Sequence, residues 1–89
     1  MKAEVYRTFW ACPSQWKGEL EDGRAIYIRF RFGKLQVGFG NDISEAITNT
    51  RVVYTSDDSW NGFMADEEMI EIVRKKLGIE AEVLGEKDI

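Results

Sequence analysis

The chain has 89 residues, 44% of them apolar and 31% charged, which fits one globular domain spanning 1–89 and leaves no room for a second. It holds no histidine and one cysteine, Cys12, which excludes Ser-His-Asp and Cys-His catalysis, His-ligated zinc, thiolate metal clusters and an internal disulfide. A net charge of −4 argues against general nucleic-acid binding. No stretch approaches the roughly 18 apolar residues of a membrane span, and the charged start lacks a signal region, so a cytoplasmic protein is expected.

Residues 4–11 (E-V-Y-R-T-F-W-A) are β-branched and aromatic and predict a first strand. Cys12-Pro13-Ser14-Gln15 ends it, because proline cannot donate to a ladder. Residues 16–20 form the second strand, and Glu21-Asp22-Gly23 a turn. Residues 25–32 are the clearest strand. Ile26, Ile28, Phe30 and Phe32 alternate with Ala25, Tyr27, Arg29 and Arg31, which sorts apolar and polar side chains onto opposite faces. A two-residue turn at Gly33-Lys34 leads into 35–40, with Phe32 opposite Leu35, Phe30 opposite Val37 and Ile28 opposite Phe39.

Asn41-Asp42 can cap a short helical turn through Ile43, Ala46 and Ile47. Residues 51–55 look like a further strand, followed by the polar loop S-D-D-S-W-N-G-F. Residues 66–77 are the one convincing helix. Met69, Ile70, Ile72, Val73 and Leu77 share one arc, acids fill the first turn and bases the last, and Gly78 suits the C-cap. Residues 80–84 can add a short edge strand, and the terminus G-E-K-D-I is expected to fray. The expected fold is α+β: an antiparallel meander of four to five strands with one C-terminal amphipathic helix on its apolar face.

Charge is uneven along the chain, with a balance of +3 over 1–40 and −7 over 41–89. In the expected register Arg31 faces Gln36, Arg29 faces Gly38, and Tyr27 faces Gly40, with Lys17 beside Tyr27. Arginine forks suit phosphate or carboxylate, a tyrosine ring can stack, and glycines leave room for close approach. Lys17, Tyr27, Arg29 and Arg31, with Trp60 as an aromatic anchor, are therefore candidate ligands for an anionic, ring-containing small molecule such as a nucleotide. The same alternation also suits a solvated sheet face or a homodimer contact. Trp10 and Trp16 read as core or core-edge residues.

Residues 57–68 read D-D-S-W-N-G-F-M-A-D-E-E. They resemble an EF-hand-type calcium loop, with Asp57, Ser59 and Asn61 at alternate positions, Gly62 at the turn and Glu68 at the twelfth place. The resemblance implies Ca²⁺ coordinated by Asp57, Ser59, Asn61, the Phe63 carbonyl and Glu68. Trp60 departs from the pattern, as does the strand-like segment before the loop. Asn61-Gly62 also reads simply as a turn, and Asp66-Glu67-Glu68 as a helix start. No other cofactor is implied.

The stretch C-P-S-Q-W-K-G-E-L-E-D-G-R-A-I-Y-I-R-F-R-F-G-K-L resembles a pattern in short, largely uncharacterised proteins of bacteria and phages. The resemblance covers about a quarter of the chain and implies an accessory protein of a mobile element rather than a particular activity. No nucleophile stands beside a base, so the reading is a non-enzymatic binding protein. Its ligand is expected to be an anionic small molecule. The alternatives are an acidic inhibitor that engages a basic protein partner around Asp57, Asp58, Trp60 and the helix, an assembly module, or a calcium module.

Overall fold

The computed structural model describes residues 1–9, 13–58 and 60–87. The sequence readings at Trp10, Cys12 and Ser59, and at the last two residues, lie outside the described residues. The chain forms β1 (Lys2–Phe9), β2 (Ser14–Leu20), β3 (Ala25–Arg31), β4 (Lys34–Gly40), α1 (Ile43–Thr48), β5 (Arg51–Thr55), α2 (Asp66–Leu77) and β6 (Glu80–Glu86). The strands make one sheet in the order β5-β4-β3-β2-β1-β6. The α+β class and the meander β1–β4 agree with the sequence reading. The strand and helix counts do not, since the described residues form six strands and two helices.

Each difference has a physical origin. Residues 80–86 add a sixth strand that pairs with β1 in parallel, Ala3 against Ala81 and Val5 against Val83. After β5 the chain crosses the apolar face as α2 and reaches the far edge of the sheet, so its last strand runs alongside the first. The cap at Asp42 supports a full helix: its side chain accepts from Glu45 N at 2.9 Å. That helix, α1, lies on the face of the sheet opposite α2. It buries Ala46 against Ala25 and Tyr27.

The β3–β4 turn falls at Phe32-Gly33, one residue earlier than expected. Both residues have positive φ, 53° and 72°, the backbone of a tight hairpin turn that matches strand twist. Phe30 therefore faces Leu35, Ile28 faces Val37 and Ile26 faces Phe39. Each partner on β4 shifts by two residues, an even step that keeps every side chain on its expected face.

The apolar face carries the core. Val5, Trp16, Ile26, Ile28, Phe30, Leu35, Met69 and Val73 are all buried there, which ties β1–β4 to the inner arc of α2. Gly78 ends α2 in the left-handed conformation, φ 67°, and its N–H donates to Arg74 O.

Among the described residues one charged side chain enters this core. Ala3, Val5 and Arg7 alternate inward along β1, and Arg7 is 1% exposed. Its Nε donates to Asp66 Oδ1 at 2.9 Å, and an NH2 group donates to the Met64 carbonyl. Its guanidinium lies 4.5 Å from the Trp16 ring centroid and 5.4 Å from that of Phe63. The Trp16 indole donates to the same Asp66 oxygen at 2.9 Å. Ser14 Oγ accepts from Met64 N at 3.0 Å. Together these bonds fix the segment before α2 onto β1 and β2.

Candidate functional site

The face opposite α2 divides into two halves. Over Ala25 and Tyr27 it is covered by α1. The glycines expected to admit a ligand are taken by this helix. A Cβ on Gly38 would stand 1.9 Å from Ala46 O, and one on Gly40 2.7 Å from Ala46 N. Tyr27, which faces Gly38 rather than Gly40, is 5% exposed. Its ring packs beneath α1 and offers no free stacking surface. Burial pushes its hydroxyl above the ordinary value of 10.0, and the neighbouring Arg29 charge partly offsets this.

The other half is open and basic. The register puts Arg31 opposite Lys34 and Arg29 opposite Gln36. Gln15 and Lys17 follow on β2, opposite Arg29 and Tyr27, and Tyr6 follows on β1, opposite Lys17. Arg29 is half-buried, and one of its terminal nitrogens donates to Gln36 Oε1 at 3.3 Å. Its Nε is buried and unpartnered among the described residues. Arg31 is exposed, with its guanidinium 4.7 Å from the Phe32 ring centroid. Lys87 Nζ stands 4.4 Å from the Tyr6 ring centroid. Among the described residues the ion pairs are Arg7–Asp66, Arg24–Asp22 and Lys75–Glu71. Lys17, Arg29, Arg31 and Lys34 thus lie on three adjacent strands with no carboxylate partner among the described residues.

The structure therefore brings Lys17, Arg29 and Arg31 onto one surface and hides the Tyr27 ring from it. Tyr6, Lys34 and Lys87 join that surface and were not singled out from the sequence. Strand alternation could have found Tyr6 and Lys34. Lys87 reaches it only because β6 runs beside β1. Trp60 does not belong to the sheet face. It is 88% exposed on the loop between β5 and α2, and none of these cations stacks on it among the described residues.

The calcium-like loop runs from the end of β5 into α2. Asn61 Oδ1 accepts from Phe63 N at 3.0 Å. Asp57 and Glu68 are exposed, the latter in the first turn of α2. The segment leading into the loop is β5, a strand, where the motif has a helix. Among the described residues no group of three or more His, Cys, Asp or Glu is placed to hold a metal ion.

At the other end of the sheet a groove of about 640 Å³ is lined by Lys2, Glu4, Glu19, Glu21, Glu80 and Glu82. Its charge is opposite to that of the basic face. Among the described residues no helix is long and apolar enough to cross a membrane. The fold and this surface together define a small α+β domain with an open, basic sheet face. Comparison of the chain with protein-family models, with curated proteins and with solved structures finds no match.

Proposed function

We propose that this chain is a non-enzymatic binding protein whose open sheet face holds an anionic small molecule of the nucleotide kind. The observation that carries the reading is the group Lys17, Arg29, Arg31 and Lys34, four cations on adjacent strands without a carboxylate partner among the described residues. In a chain of net charge −4 such segregation needs a reason. Arginine and lysine so placed are free to donate to phosphate oxygens. Gln15 and Gln36 between them supply neutral amides, which can bond the same oxygens without repelling them. Tyr6 takes the stacking role first expected of Tyr27. A cytoplasmic accessory protein of a mobile element that sequesters such a ligand, as a monomer or across a homodimer, is the setting we propose for it.

The test is calorimetric titration with adenosine triphosphate and with inorganic triphosphate. Saturable binding of both is expected, tighter for the ring-bearing anion. Arg31→Ala, an exposed position, should weaken it by about ten-fold, the worth of one charge-assisted contact. Heat that does not saturate, or an Arg31→Ala isotherm identical to that of the unmodified chain, would sink the reading.

A further inference from the structure

Three aromatic side chains are exposed to solvent at one end of the sheet, with Arg31 against the Phe32 ring and Arg7 against that of Phe63. Trp60 is 88% exposed, Phe32 55% and Phe63 46%. Backbone bonds hold their segments together. Gly33 N donates to Asn61 O at 2.8 Å, Ser56 N to Gly33 O at 2.7 Å, and Ser14 N to Gly62 O at 2.9 Å. The β3–β4 turn and the loop before α2 thus share one surface. Single exposed rings are ordinary; several at one end of a small domain mark an interaction site. Phe32 carries a further cost, since its φ of 53° is a backbone that bulky residues avoid.

The loop is held in shape before any partner arrives. Asp58 Oδ1 accepts from Trp60 N at 3.0 Å, and Asn61 Oδ1 from Phe63 N at 3.0 Å. The Arg7 guanidinium lies 5.4 Å from the Phe63 ring centroid. A preorganised surface loses little freedom on binding.

Charge identifies the partner. Asp57 and Asp58 precede Trp60, and Glu67 and Glu68 follow Phe63 in the first turn of α2. All four are exposed, and none forms an ion pair among the described residues. Asp66, between them and the core, is taken by Arg7 and Trp16. The open face of a tryptophan attracts cations, and buried aromatic anchors carry much of the energy of protein interfaces. The geometry points to a docking surface for a lysine- or arginine-rich segment of a partner protein, with Trp60 and Phe63 as anchors and Asp57, Asp58, Glu67 and Glu68 as the charged rim. Its anchors and acids are different residues from those of the anion-binding face, which it adjoins at Arg31 and Lys34.

Fluorescence anisotropy of a labelled oligoarginine peptide, at low and at physiological salt, tests this. Binding is expected, weaker at higher salt. Trp60→Ala and the double variant Asp57→Asn/Asp58→Asn should each weaken it by about ten-fold or more. Glu80→Gln/Glu82→Gln removes the same charge from the opposite end and should change it by less than about two-fold. Thermal unfolding establishes that each variant is folded; Asn at 58 keeps the oxygen that Trp60 N needs. Absence of binding, an unchanged Trp60→Ala, or an equal loss on Glu80→Gln/Glu82→Gln would each overturn the proposal.

Discussion

Arg7 is the residue on which the position of the loop before α2 depends most. A guanidinium removed from water is costly unless its donors are met and its charge is balanced. Here Asp66, the Met64 carbonyl and two aromatic rings do both. Arg7→Ala should cost about 3–5 kcal/mol, the range for breaking a buried pair, measured by denaturant unfolding. A loss below about 1 kcal/mol would mean that the cluster is not closed in solution. Tyr27 makes a separate prediction. Burial raises its folded-state value above 10.0, so the folded chain holds the phenol proton more tightly than the unfolded chain does. That contribution is full below pH 10.0 and is lost as pH rises through the raised folded value. Tyr27→Phe should therefore flatten the alkaline decline in stability, and an unchanged slope would contradict the burial of this ring.

At the scale of elements, α1 decides which half of the sheet face can work. It rests directly on Gly38 and Gly40 because those positions carry no Cβ. Gly38→Ala sets a methyl against a main-chain oxygen, so the helix itself must move. A loss of at least about 1–3 kcal/mol is expected, as for other overpacked sites, with faster hydrogen exchange across α1. Unchanged stability and exchange would place the helix elsewhere.

The same elements show what the sequence discloses. The meander and α2 were legible because each is set by local pattern: alternation in Ile26–Arg31, the arc of Met69 and Val73, acids then bases along the helix, and Gly78 as its cap. The even shift at Phe32-Gly33 was not, since alternation fixes the face of a strand but leaves the turn free to move by a residue. The glycines at 38 and 40 were read as space, which is correct. What fills the space is a tertiary fact, and so is the partner of Arg7, 59 residues away in the chain. That Arg29 and Arg31 share one face was legible because strand alternation puts them there. Lys87, Phe32 and Phe63 gained their significance only from neighbours that the fold supplies.

For the whole molecule, the two balances of charge along the chain become two regions in space. The cations of β2, β3 and β4 gather on the open half of one sheet face. Acids stand around Trp60, along the exposed side of α2, on β6, and as Glu4 and Glu19 at the far end of the same sheet face. Glu80, Glu82 and Glu86 also guard the outer edge of β6 against pairing with another strand. A domain of this size can thus present a basic region and an acidic region at once. Anion binding on the basic sheet face is tested by a backbone amide shift map of the chain titrated with adenosine triphosphate. The largest changes are expected at Lys17, Arg29, Arg31 and Lys34 and their neighbours on β2–β4, with α2 and the 57–68 loop quiet. Changes centred on that loop or on the glutamate-lined groove, or none at all, would contradict it.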